Sequence, residues 1–207
     1  MGNEEQIVTL DKFYETKLKE KNSLFIAQSF PIESENDFHK IITNVKKKYY
    51  DATHHCYAYK LQNNLFKYSD DGEPSGTAGI RILNAIEHFN LTNAAVIVIR
   101  YFGGTKLGVG LLGKTYYESA LQGLNQVEKI SKFEYQKINI KVDFEFVSFV
   151  HRILSSINAK IDSTNYKNEV EFVCFIKPAY IKSTIEKLID LTHGKAIIKI
   201  DNKHIYL

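Results

Sequence analysis

Two glycine-rich stretches of this chain concentrate side chains able to do chemistry. The first is Asp70-Asp71-Gly72-Glu73-Pro74-Ser75-Gly76-Thr77-Ala78-Gly79 and the second Arg100-Tyr101-Phe102-Gly103-Gly104-Thr105-Lys106-Leu107-Gly108-Val109-Gly110. Most of the eleven glycines of the chain lie between Gly72 and Gly113, as expected of shaped loops that approach other backbone or a ligand closely. Asp70, Asp71 and Glu73 offer carboxylates for a metal or for acid–base work, with His54 and His55 nearby in sequence. Ser75 offers a hydroxyl, and Thr77 and Lys106 extend the polar set. Arg100 suits a phosphate or carboxylate, and Tyr101 or Phe102 could stack on a base.

Each of these readings has a structural competitor. Carboxylates before a helix cap its free N–H groups, and the spacing here matches no metal-ligand pattern, so no metal is expected. Ser75 follows Glu73-Pro74 instead of a Gly-x elbow, which makes a helix cap more natural than a nucleophile, and no catalytic residue is assigned. For Arg100 two readings stand level: a ligand grip, or an internal bridge to Asp70, Asp71 or Glu73 that ties the loops together. Gly108-Val109-Gly110-Leu111-Leu112-Gly113-Lys114-Thr115 fits the phosphate-loop pattern G-x-x-x-x-G-K-[ST] letter for letter. A true phosphate loop begins directly after its strand, whereas Phe102 to Leu107 intervene here and Leu112 already belongs to a helical stripe; the match is read as fortuitous.

The elements that must hold these loops follow from periodicity. Phe38, Ile41, Ile42, Val45 and Tyr49 predict a helix over about 36–49, capped by Ser34 with Asp37. His55 to Leu61 and Leu65 to Ser69 predict a hairpin, Ile82, Leu83, Ile86 and Phe89 a helix, and Ala94 to Ile99 a central strand buried on both faces. Leu112, Tyr116, Ala120, Leu124 and Val127 predict a helix over about 111–128. Beyond Lys129 the period becomes two, with Ile138, Ile140, Val142, Phe144 and Phe146 on one side. A helix carrying Phe149, Val150, Ile153, Leu154 and Ile157 inward follows, then a hairpin over 159–176. A helix opened by Pro178, with Ile185, Leu188 and Ile189 inward, runs to a stop at Gly194, and a strand over 195–201 closes the order β-α-β-β-α-β, the ferredoxin-like arrangement. The expectation is an α+β protein of two domains, 1–130 and 131–207.

Composition is that of a soluble chain: 44% hydrophobic and 25% charged over 207 residues. The polar start Met1-Gly2-Asn3-Glu4 predicts no secretory signal, and the distant Cys56 and Cys174 fit a reducing compartment, so a cytoplasmic location is expected. Basic and acidic residues balance over 1–130, at 15 each, whereas 131–207 carry 12 against 9. Lys46, Lys47 and Lys48 at a helix end, with Lys195, Lys199 and Lys203 near the C-terminus, form the candidate nucleic-acid surface.

The first motif followed by Arg100-Tyr101-Phe102-Gly103-Gly104 and Leu107-Gly108 resembles the signature of the YigZ/IMPACT family, DDGEPSGTAG with RYFGG-x-x-LG. The chain departs from the usual family pattern at Leu111, where a glycine is expected, at Lys114 in place of an arginine, and at Arg81 in place of a proline. The resemblance implies an N-terminal domain of the ribosomal-protein and translocase α/β type and a C-terminal domain similar to the last domain of elongation factor G. It also implies a translation-linked role. Eukaryotic relatives restrain activation of a starvation-responsive translation-initiation kinase by competing for its activator. The expected function is therefore a non-catalytic regulatory protein that binds RNA, the ribosome or a ribosome-bound regulator, with no cofactor. The alternative is an enzyme or binding protein for a phosphate- or carboxylate-bearing small molecule at the two glycine motifs.

Overall fold

The computed structural model of the chain describes residues 6–207, and of Lys203 the backbone alone. The chain divides into two compact units, one of residues 8–131 and one of residues 132–207 with 6–7.

The N-terminal unit is built on an antiparallel sheet in the order β2 (Tyr14–Glu20), β3 (Ser23–Pro31), β6 (Ala94–Tyr101), β4 (His54–Lys60), β5 (Phe66–Ser69). As its unbroken apolar run requires, β6 is central and buried on both faces. Ala94, Val96 and Val98 join Phe25, Ala27, Cys56 and Ala58 beneath α2 (Gly79–His88) and α3 (Val109–Gln126). On the other side Ala95, Ile97 and Ile99 join Ile26 and Tyr59 against Phe38, Ile42 and Val45 of α1 (Glu35–Lys48). Ser34 caps α1 as its spacing predicts: its Oγ accepts the Asp37 N–H at 3.2 Å and donates to Asp37 Oδ2 at 2.8 Å. The β2–β3 hairpin turns on Lys21 and Asn22, both at positive φ (42° and 67°), the backbone that suits a two-residue turn to the twist of its strands.

The C-terminal unit follows the order β7 (Lys129–Val142), α4 (Val147–Ser156), β8 (Lys160–Tyr166), β9 (Val170–Ile176), α5 (Pro178–Leu191), β10 (Ile197–Tyr206). In space the strands run β10-β7-β9-β8, all antiparallel, and β1 (Gln6–Leu10) also joins β7. This is the expected ferredoxin-like arrangement. Ile138, Ile140 and Val142 meet Phe172, Cys174 and Ile176 beneath Val150, Leu154 and Leu188 of the two helices.

Several details differ from the periodic reading. The strand stops at Val142, and Phe144–Phe146 form a turn of 3-10 helix, which breaks the period of two and turns Phe144 outward, 54% exposed. Phe149 is 38% exposed because Val150, Ile153 and Leu154 alone set the buried stripe of α4. Ile189 is exposed as well, next to the buried Leu188. The last strand begins at Ile197 and runs to Tyr206, absorbing an irregularity between Ile200 and His204.

Among the described residues, both helices of the unit, α4 and α5, pack on one face of this sheet and none on the other. The residues of that other face lie in three cross-strand rows: Ile197, Lys141, Glu171 and Asn165; Lys199, Asn139, Val173 and Ser163; Lys137, Phe175 and Lys160. All of them lie outside the buried core cluster.

Candidate functional site

The first motif begins where β5 ends at Ser69 and closes where α2 begins at Gly79. Gly79 is needed there because a Cβ would come within 2.8 Å of the Ser69 backbone. Between them each acid is committed. Asp70 Oδ1 accepts the N–H groups of Ala78 at 2.9 Å and Gly79 at 2.8 Å, and Oδ2 accepts Gly76 N–H at 2.9 Å. The residue at the head of α2, Ala78, has no capping side chain, so Asp70 caps this helix from eight residues upstream. Asp71 faces elsewhere: Oδ2 accepts His55 N–H at 2.7 Å and Oδ1 binds Lys46 Nζ at 3.0 Å.

Glu73 turns inward and meets the second motif. Arg100, near the end of β6, donates from Nη1 to Glu73 Oε1 at 2.5 Å, and Tyr116 of α3 donates its hydroxyl to the same oxygen at 2.8 Å. Both members of the ion pair are buried, Glu73 9% and Arg100 5% exposed. The guanidinium lies between the rings of Phe25 and Phe102, 5.3 and 5.6 Å from their centroids. Ser23 completes the junction, its Oγ accepting Arg100 Nη2 at 3.4 Å and Gly103 N–H at 3.2 Å. Gly103 passes so near the β2–β3 turn that a Cβ would fall 2.1 Å from the Asn22 carbonyl carbon. The two motif loops therefore meet through Glu73 and Arg100, one of the three pairings the sequence allowed.

Cys56 lies against this junction, its single thiol proton within reach of two acceptors, the Asp70 carbonyl at 3.0 Å and Tyr116 Oη at 3.3 Å. Burial, with the neighbouring Glu73, Asp71 and Asp70 charges adding to it, raises the thiol far above its ordinary range. Burial likewise raises the Tyr116 phenol. Neither group is an ionised nucleophile at neutral pH.

The remaining motif residues lie further out. Ser75 and Lys106 are exposed, and Thr77 is buried with Oγ1 donating to the Pro74 carbonyl at 2.6 Å. Tyr101 donates its hydroxyl to Asp51 at 2.8 Å, and Phe102 is 46% exposed. The histidine rings have other partners than Ser75: His54 Nδ1 lies 2.8 Å from the Asp71 carbonyl and its Nε2 3.8 Å from Glu73 Oε2, and His55 Nε2 lies 3.0 Å from the Tyr49 carbonyl. Among the described residues no group of three His, Cys, Asp or Glu is placed to hold a metal ion. The phosphate-loop match is not a phosphate loop in shape. β6 ends at Tyr101, α3 begins at Val109, and Lys114 lies in its second turn, 3.6 Å from Glu118.

The candidate nucleic-acid lysines are dispersed. Lys46 is paired with Asp71, Lys47 is exposed, and Lys48 lies 5.0 Å from the Tyr49 ring centroid. Lys195 reaches Glu145 at 3.4 Å and lies over Phe146, while Lys199 is exposed on β10. The Lys203 side chain lies outside the described residues. Sequence reasoning missed Ser23 and the polar role of Tyr116 in the first unit, and Lys137 and Lys160 beside Phe175 in the second. The alternation of β7 was the available signal for Lys137, since it shares a face with Asn139 and Lys141.

A structure described as that of a hypothetical protein superposes with a TM-score of 0.71, covering 96% of this chain and 99% of its own at 24% identity. The Impact N-terminal domain matches residues 21–124, and a domain of unknown function, DUF1949, matches residues 140–195. IMPACT family member YvyE of Bacillus subtilis is 31% identical over 181 residues, 86% of this chain and 83% of that protein. IMPACT family member YigZ of Escherichia coli is 26% identical over 84% of this chain and 87% of its own length. The chain belongs to the IMPACT family. Human Protein IMPACT shares 33% identity over 98 residues, 44% of this chain and 30% of the human protein.

Proposed function

We propose that this protein is a non-catalytic, translation-associated factor that binds RNA, free or within the ribosome, through the sheet face of its C-terminal unit opposite α4 and α5. The observation that carries this reading is the composition of that face. Lys137, Lys160 and Lys199 stand in adjacent rows around Phe175 and Val173, while Lys141 in the next row is ion-paired with Glu169 and lies beside Glu171. Ammonium groups spaced along a sheet neutralise successive phosphates, and the apolar surface between them accepts sugar and base. Lys195 and Lys47 lie outside this face and add to the same attraction.

The first unit supports the reading from the other side. Its motif carboxylates are spent on backbone N–H groups, on Lys46 and on Arg100, which suits loops that hold a shape more than loops that turn over a substrate. The competing reading, a phosphate- or carboxylate-bearing small molecule at the motifs, has one observation in its favour: Arg100 Nε is buried without a hydrogen-bond partner. Glu73 already occupies the guanidinium, so such a ligand would have to displace a buried carboxylate.

Co-sedimentation with ribosomes across a salt series tests the proposal. Binding at low salt that falls steeply as salt rises is the expected result, because each neutralised phosphate releases counterions. No co-sedimentation at any salt, with no binding to ribosomal RNA fragments, sinks it.

A further inference from the structure

Resting on that RNA reading, we propose that Phe144 and Tyr166 form a nucleobase-stacking site for single-stranded RNA at one end of the C-terminal sheet. β7 ends at Val142 and β8 ends at Tyr166, and both positions pair with Val170 at the start of β9. The chain continues from Val142 into the 3-10 turn that carries Phe144, so the two rings meet just beyond the sheet. Both point outward: Phe144 is 54% and Tyr166 60% exposed, and neither belongs to the buried core. Two large rings held in water against each other leave apolar surface that folding has not used.

Their geometry suits a flat aromatic guest. The ring planes lie 29° apart with centroids separated by 6.4 Å. A stacked pair with centroids this far apart is offset, which leaves part of each ring face open to a guest. The exposed faces offer a shelf on which a base can stack.

Lysines for the flanking phosphates stand near both rings, next to the exposed acids Asp143 and Glu145. Lys167 follows Tyr166 and is exposed. The Lys195 ammonium reaches Glu145, the residue after Phe144, in a pair whose members are 58% and 62% exposed. So open a pair yields readily to a phosphate. Duplex RNA hides its base faces, whereas unpaired nucleotides present them, which selects the single strand.

The test is fluorescence anisotropy of the full chain with a labelled oligouridine and with the same oligomer carrying abasic positions. Wild type should bind the intact oligomer about tenfold or more tighter than the abasic one. Phe144→Ala with Tyr166→Ala should remove that preference, and Tyr166→Phe should keep it. Equal binding of intact and abasic oligomers by wild type overturns the stacking site while leaving the RNA reading standing. No binding of wild type to either oligomer or to ribosomal RNA removes both. A preference that survives the double alanine substitution, with the fold intact by circular dichroism, also overturns it.

Discussion

The two units spend their charged residues in opposite ways. In the N-terminal unit both sheet faces are covered, and the charges of the signature loops are turned on one another or on the backbone. In the C-terminal unit the helices cover a single face, and lysines stand on the other in rows. The difference teaches that a dense, charged motif is not by itself a reactive one. Asp70, Glu73 and Arg100 look chemical in sequence because charged side chains are the strongest tools for joining loops as well as for catalysis.

The sharpest way to break this contrast is to remove the buried cation. Arg100→Ala leaves Glu73 buried without its partner, and unfolding by denaturant should show a loss of about 3–5 kcal/mol. A loss near zero would mean that the junction is open to water and available to a ligand. The cap comes next. Asp70→Asn keeps the size of the side chain but removes its charge and one of its two acceptor oxygens, and should cost about 1–2 kcal/mol, seen as a lower denaturation midpoint.

A smaller effect is expected from the thiols. Burial raises Cys56 well above its ordinary range and pushes Cys174 up to about 12. Both folded values lie above the unfolded thiol value near ~8.5, so the unfolded chain loses these protons first. Their contribution to stability is therefore complete below pH ~8.5 and declines as pH rises from there toward 12 and beyond. Native protein should react slowly with a thiol reagent at pH 8, and both cysteines should label quickly in denaturant. Fast labelling of Cys56 in the native state would contradict its place beneath Tyr116.

Much of the fold was legible because burial leaves a period. Ala94 to Ile99 read as a two-sided strand, and Ser34 with Asp37 marked a helix start. The strands between Gln6 and Pro31 were missed for physical reasons. β2 is an edge strand whose alternation is carried by Glu15, Lys17 and Lys19, and the β2–β3 turn uses Lys21-Asn22 without a glycine. With β3 unread, Ser23 could not be seen as the residue that receives Arg100 and Gly103. In the site, the Arg100–Glu73 pairing was legible as one of three choices. The choice itself depends on the Asp71 backbone, at φ 42°, and on Tyr116, a residue of helical spacing whose hydroxyl has no signature in sequence. The exposure of Phe144 was hidden because a 3-10 turn continues the apparent alternation of the strand before it.

The contrast rests finally on where the binding charge resides. The most direct measurement is the affinity of the full chain for single-stranded ribosomal RNA fragments across a salt series, for wild type and two lysine-to-glutamine variants. One variant changes Lys137, Lys160 and Lys199 on the sheet face, and the other changes Lys46, Lys47 and Lys48 at the end of α1. The sheet-face variant should lower the slope of log affinity against log salt by roughly 2, from about 0.7 for each of its neutralised phosphates. The α1 variant should change the slope by well under half that amount, because Lys46 is already paired with Asp71 and Lys48 lies against the Tyr49 ring. An unchanged slope in the sheet-face variant, or a larger change in the α1 variant, would contradict the account.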